Sequence, residues 1–343
     1  MWIVDKVDHN LQKSAEIKEA ALWISEGEVV AFPTETVYGL GGNALEDDAI
    51  AKIFEAKGRP SDNPLIVHIA TKQQVEELAA DIPEMASKLM DAFWPGPLTL
   101  ILRKQAAIAE KVTAGLDTVA LRMPDHPVAL ALLEVAGVPV AAPSANLSGK
   151  PSPTTARHVD RDLHGKIAGI VDGGATGIGV ESTVVDCTGD VAMVLRPGGI
   201  TAEQIAEVVG EVSVDPALGE SDLAPKSPGV KYTHYAPKGA LYLVEGSREY
   251  VQTLVNEQKQ EGTKVGVLTT VEGEHAYDAD VVLACGSREQ LASVASKLYE
   301  TLRSFDDGGV DVIYSEVFPN EGVGVAIMNR LEKAAGGRMV SEK

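Results

Sequence analysis

From Ser213 to Gly239 the hydrophobic periodicity that runs through the rest of the chain stops. A stretch reading VDPALGESDLAPKSPGVKYTHYAPKG offers no face for a helix or strand to bury, and its prolines and glycines punctuate it repeatedly. The 343 residues are therefore cut into two parts that must each build a core, and both are long enough to do so. The expected division is a first domain over 1–212, a linker over 213–238 and a second domain over 239–343.

The two parts differ in texture. The first opens with an expected helix, roughly Ser14–Ser25, and an apolar strand running into VVAFPTETVYGLGGNA. Further β-like runs are LIVHIA (65–70), LTLILR (98–103), TVALRMP (118–124), VPVAAPSANLSG (138–149), GIVDGG (169–174), STVVDCT (182–188) and VLRPGGI (194–200). Helical patterns such as DAIAKIFEAKG and TKQQVEELAADIPEMASKLMDAF fall between several of them. Strand follows strand over 169–200 with no helix between, which argues for a mixed or largely antiparallel sheet with helices packed on it. After Gly239 short apolar strands (ALYLVEG, KVGVLTT, DVVLAC, VDVIYSEV) alternate with helices, the pattern of a parallel doubly wound sheet. No G-x-G-x-x-G follows its first strand, so a dinucleotide site is not supported.

Net charge is −20, spread as −12 over residues 1–210 and −8 over the rest. Such a chain is not a general nucleic-acid binder, because that binding depends on Lys and Arg neutralising phosphates. No apolar run is long enough to span a membrane, and the N-terminal residues lack the layout of a secretory signal. Cys187 and Cys285 match no metal spacing and are expected to be reduced thiols, consistent with a cytoplasmic protein.

A phosphate-binding P-loop, H-E-x-x-H, a C-x-x-C pair and G-x-S-x-G are all absent, so any active site must be assembled from scattered strand ends. Four stretches qualify. PTETVYGLG (33–41) puts hydroxyls between a strand and a glycine turn, where they could line a pocket or simply cap backbone groups. AKGRPSDNPLIVH (56–68) carries Lys57 and Arg59 at a helix end, able to hold a polyphosphate or merely to suit the helix dipole. His68 in its apolar strand reads, taken alone, as a core histidine. In VPVAAPSANLSGKPSPTTARH (138–158) carboxylates are missing from Val135 to Val159, while serines, two threonines, Lys150 and Arg157 are present. Such a loop can hold phosphate oxygens on its amides and hydroxyls. The last group is TVALRMPDH, GGATGIGVESTVVD and VLRPGG, in which Arg122 and Arg196 each end an apolar β-run at what would be one rim of a sheet. Two strand-end arginines beside the KGR pair describe a pocket for a ligand with several negative charges.

KGR (57–59) followed by SAN (144–146) resembles the K-x-R…S-x-N signature of the YrdC family. PTETVYGLG, WPGPLT (94–99), LRMPDH and GVESTVVD are similar to that family's other blocks. The resemblance covers nearly all of 10–205, and SPGVKYTHYAP resembles the linker of the family's long form. It implies an α/β protein: a YrdC-like twisted mixed sheet with packed helices, then a smaller Rossmann-like parallel α/β domain. It also implies condensation of L-threonine, bicarbonate and ATP into threonylcarbamoyl-adenylate and pyrophosphate, the first step of threonylcarbamoyladenosine formation in tRNA. A downstream tRNA threonylcarbamoyl transferase complex would be the partner, with tRNA contact weak at most and Mg²⁺ carried on the ATP phosphates.

Carried over by motif, Lys57 and Arg59 would be catalytic. The nucleotide would be held by Lys57, Arg59, Asn63, Thr118, Ser144, Asn146, Ser152 and Arg196, with Thr113, Ser148 and Thr154 as neighbouring hydroxyls that could serve instead. Threonine would lie against Thr36, His68, Arg122, the backbone at Ala142, and Ser182. The linker has no Asp or Glu from Leu223 to Val244, and it is expected to act as a lid with Tyr235 on the nucleotide and Lys231 or His234 near the phosphates. The competing reading is a YrdC-type module that grips RNA without catalysis, using the same basic residues. A maker of another carbamoyl-adenylate is less compatible, since no accompanying acylphosphatase-like domain or zinc-finger cysteines are present.

Overall fold

The computed structural model describes residues 1–105, 107–216 and 234–343. They form two compact units. The first holds residues 1–148 and 153–177 and continues from Glu181; the second holds the described residues from His234 to Lys343 together with the short segments Gly149–Ser152 and Ile178–Val180. Lys231 and residues 217–233 of the expected lid lie outside the described residues. Among the described residues no helix is long and apolar enough to cross a membrane.

In the first unit eleven strands make one mixed sheet. They are β1 (Trp2–Ile3), β2 (Val30–Phe32), β3 (Gly39–Asn43), β4 (Ile66–His68), β5 (Leu98–Arg103), β6 (Thr118–Arg122), β7 (Val140–Ala141), β8 (Gly169–Asp172), β9 (Thr183–Asp186), β10 (Ala192–Arg196) and β11 (Val212–Val214). Their order is β1-β8-β2-β3-β7-β4-β6-β5-β9-β10-β11. Parallel pairs (β4 with β6, β5 with β9) alternate with antiparallel ones (β5 with β6, β9 with β10), as the missing helices over 169–200 require.

Helices fill the gaps where the apolar spacing changes to 3.6. The first, Ala15–Ser25, is capped by Ser14, whose hydroxyl accepts from the Ile17 amide, and it buries Ile17, Ala20, Ala21 and Ile24. The long pattern over 71–93 is two helices, Gln73–Leu78 and Glu84–Phe93, because Pro83 cannot continue the first and caps the second. The run expected over 138–149 is a strand over Val140–Ala141 alone, with a single further bridge from Ser144 to Gly39, since Pro139 and Pro143 supply no amide to a ladder. Strand β3, GLGGN, reads as a turn from sequence. Its glycines are needed instead by packing: a Cβ on Gly41 would lie 2.7 Å from Val140 Cγ1 and 2.8 Å from Phe32 Cε1.

The second unit has five strands, β12 (Ala240–Glu245), β13 (Val265–Thr269), β14 (Val281–Ala284), β15 (Val312–Glu316) and β16 (Met339–Ser341), in the order β14-β13-β15-β12-β16. Every pairing is parallel. Helices Arg248–Gln260, Leu291–Gly308 and Val323–Ala335 supply the crossovers of a doubly wound fold.

Candidate active site

Strand directions decide where the two strand-end arginines stand. β6 is antiparallel to β5, β5 is parallel to β9, and β9 is antiparallel to β10. Strands β6 and β10 therefore run the same way, and Arg122 and Arg196, their last residues, reach the same rim of the sheet. Extending the β5–β6 register by one residue sets Thr99 opposite Arg122. Thr99 pairs with Val184, and Val184 with Arg196, so these residues form one row across four strands. Arg196 reaches this row through a register shift between Val194 and Arg196: Leu195 is an extra residue, and the bulge re-aims the arginine.

Both arginines are buried, at 4% exposure. Nε and Nη2 of Arg196 donate to the Ser182 carbonyl (3.1 and 2.9 Å), and Nη2 also donates to the Ser182 hydroxyl (3.1 Å). Ser182 Oγ is in turn 2.8 Å from Thr99 Oγ1. Arg122 donates from Nε to the Gly96 carbonyl (3.3 Å), and its Nη2 lies 2.7 Å from Glu35 Oε1. On the adjacent strand His68 is the register partner of Arg122. Burial and the Arg122 charge hold its pKa down to about 3, so the ring is neutral; its Nδ1 donates to Ile66 O (3.2 Å) and it meets Phe32 edge-on.

Three motifs distant in sequence are laced together beside this rim. The Leu40 amide donates to Pro143 O and the Ala145 amide to Tyr38 O, each at 2.8 Å, which joins the TVYGL segment to the SAN loop. Helix Asp47–Lys57 ends at Gly58 (φ 59°), with Arg59 N bonded to Phe54 O and Gly58 N to Glu55 O, a Schellman closure. That turn aims Lys57 inward. Its ammonium, 3% exposed, donates to Ser144 O (2.5 Å), Asn146 O (2.7 Å) and Asn146 Oδ1 (3.4 Å). The lysine expected at the phosphates thus also bonds the SAN loop. Ser144 Oγ donates to Asn146 Oδ1 (2.6 Å).

Asn63 is 1% exposed, and among the described residues neither its amide nitrogen nor its oxygen has a hydrogen-bond partner, an arrangement that a bound ligand would complete. Thr36 is fully buried with its hydroxyl 2.8 Å from that of Thr34. Ala142 is buried, and its amide donates to Ile66 O (2.8 Å). Thr118 starts β6 on the same face as Arg122, and it is half-buried. The rival hydroxyl of Thr113 is taken by Lys104 Nζ (2.9 Å). Ser152 and Tyr235 belong to the second unit. Tyr235 is 5% exposed, stacks on Tyr299 (5.2 Å, 30°) and lies beneath Arg330 (5.7 Å). This packing was not anticipated for a lid residue.

Sequence reading missed Glu35, Thr99 and His126. Each lies inside a stretch already singled out, and only the sheet register and loop path reveal which residues they face.

The sequence profile of the Sua5, YciO and YrdC proteins, described as telomere recombination, matches residues 23–198. That of the threonylcarbamoyl-AMP synthase C-terminal domain matches 200–336. The chain belongs to the Sua5/YciO/YrdC family. Among its relatives the threonylcarbamoyl-AMP synthase of Bacillus subtilis is 60% identical, over 99% of this chain and 98% of its own. That of Pyrococcus abyssi is 52% identical over 95% of each. The solved structure of P. abyssi Sua5 complexed with L-threonine superposes with a TM-score of 0.92 at 51% identity, covering 96% of each chain. Among the described residues of this Sua5/YciO/YrdC member, Cys187 and Cys285 are free and buried.

Proposed function

We propose that the chain is an L-threonylcarbamoyladenylate synthase, a nucleotidyltransferase that joins L-threonine, bicarbonate and ATP and releases pyrophosphate. The observation that carries this reading is the pair of buried arginines on one sheet rim, in one row with Thr99, where Ser182 bonds both Arg196 and Thr99. One arginine suits an amino-acid carboxylate, the other a phosphate, and bidentate geometry suits both.

In this reading Arg122, Thr36, His68, the backbone at Ala142 and Ser182 hold threonine. Asn63, Thr118, Ser144, Asn146, Arg59 and Arg196 hold ATP, which brings Mg²⁺ on its phosphates as part of the substrate. The threonine amine and bicarbonate give a carbamate, whose oxygen attacks the α-phosphorus as pyrophosphate leaves. No side chain has to form a covalent bond; Arg196 and Arg59 stabilise charge that moves onto the leaving oxygens, and Lys57 keeps the SAN loop in place. Neutral His68 contributes shape and a hydrogen bond without a second positive charge beside Arg122. Tyr235 and Ser152 enter this reading as nucleotide contacts through their motifs, and the ATP KM of Tyr235→Ala tests the first.

The deciding experiment measures pyrophosphate release with threonine and bicarbonate supplied singly and together. Release should need both, and serine should replace threonine poorly; release independent of threonine would overturn the reading. The product is the adenylate from which threonylcarbamoyladenosine in tRNA is built, so a tRNA-modifying transferase is the expected consumer, in a cytoplasmic setting.

A further inference from the structure

The contact between Glu35 and Arg122 is close but incomplete. Their side chains are 11% and 5% exposed, and Nη2 to Oε1 is 2.7 Å. Yet the angles are not those of a hydrogen bond, and among the described residues neither carboxylate oxygen of Glu35 has a hydrogen-bond partner. His126, 6% exposed and within electrostatic reach of Glu35, likewise has no partner on either ring nitrogen. A carboxylate removed from water with its acceptors unfilled is costly, and the surrounding loop does not fill them. Glu35 is the only acid of the PTETVYGLG stretch, so the pocket side of that loop carries one negative charge, and it faces the arginine.

We infer that the zwitterion of the amino-acid substrate inserts between Arg122 and Glu35, its carboxylate on Arg122 and its ammonium on Glu35. This rests on the reading of Arg122 as the carboxylate site. One unfinished internal ion pair becomes two finished ones, so the pocket stays neutral throughout. Glu35 then also accepts the proton that carbamate formation must remove. It takes one proton from the ammonium, and the freed amine forms the N–C bond to the bicarbonate carbon. The bond from that carbon to its hydroxyl breaks, and hydroxide leaves as water with a second amine proton. Ammonium, glutamate carboxylate and bicarbonate thus give carbamate, protonated glutamate and water, with charge and atoms conserved.

The test is calorimetric titration of the full chain and of Glu35→Gln with two ligands, L-threonine and 2,3-dihydroxybutanoate, in which a hydroxyl replaces the amine. The variant should bind threonine about tenfold or more weakly, the loss of one charge-assisted hydrogen bond, while binding the dihydroxy acid at least as well as before. If both ligands bind the variant unchanged or more tightly, Glu35 only fills the empty site and the inference fails. If the unaltered chain binds no threonine, the assignment of Arg122 fails first. Should Glu35→Gln not fold, Glu35→Asp decides: it keeps the charge and should still prefer threonine to the dihydroxy acid, and equal binding of the two would overturn the proposal.

Discussion

Arg196 grips Ser182 twice, at its carbonyl (2.9 Å) and at its hydroxyl (3.1 Å). The hydroxyl continues to Thr99, one register position from Arg122, so the nucleotide and amino-acid halves of the proposed site share a single serine. Ser182→Ala leaves the carbonyl contacts and removes the link. Its expected signature in initial-rate kinetics is a threonine KM raised several-fold with the ATP KM little changed.

Replacing the arginine is more severe. Arg196→Ala should lower pyrophosphate release by at least about a hundredfold, the scale of losing one preorganised electrostatic donor. Arg196→Lys should not restore it, because a lysine cannot span the two acceptors of Ser182. Circular dichroism of both variants should show the native fold; unfolding would make the arginine structural.

Lys57→Met tests the role of the ammonium as a clamp. It strips donors from the Ser144 and Asn146 carbonyls, and should cost about 3 kcal/mol in urea unfolding of the first unit. The ATP KM should rise in parallel, since Ser144 and Asn146 lose their fixed positions. An unchanged unfolding midpoint would mean that these bonds do not clamp the loop.

Stability should fall on mild acidification. His68 and His126 have folded pKa values near 3 and 4, both lowered by burial from an ordinary 6.5. Between those limits the unfolded chain binds protons that the folded chain does not, so stability rises with pH in that window. Each histidine contributes a slope of up to about 1.4 kcal/mol per pH unit. Comparing unfolding free energies from about pH 6.5 to 5, His126→Gln should flatten the curve by one proton.

Tyr235 sits at φ 65°, a left-handed conformation uncommon for a residue with a side chain, and its ring stacks on Tyr299. Tyr235→Ala should destabilise the second unit by about 3 kcal/mol. Tyr235→Gly loses the same ring but relieves the backbone, so thermal unfolding should place it within about 1 kcal/mol of the alanine variant despite glycine's greater freedom when unfolded.

Much of this was legible in the chain. Leu98–Arg103 is a strand with the bounds its apolar run shows, and the change to β-α alternation after Gly239 does mark an all-parallel sheet. The strand-end arginines were readable because each terminates an apolar run. What could not be read is what depends on register. The bulge at Leu195, the row through Thr99, and the facing of Glu35 and Arg122 are set by which strands pair and how loops return, and no local pattern encodes that. The destination of the Lys57 ammonium was hidden for the same reason: its acceptors lie 87 and 89 residues away. Strand β3 was obscured by chemistry instead, since five residues with three glycines carry a turn's composition while serving a crowded sheet interior.

Among the described residues strand β1 pairs only with β8, and β8 also flanks β2. Residues 2–3 and 30–31 therefore wait for 169–172 before their edges are covered. At ribosomal speeds of roughly 5–20 residues per second that interval is on the order of ten seconds, during which the nascent chain shows an open edge and an apolar face. A chain stalled after residue 160 should accordingly be held by chaperones or aggregate, whereas one released after 216 can close its own sheet.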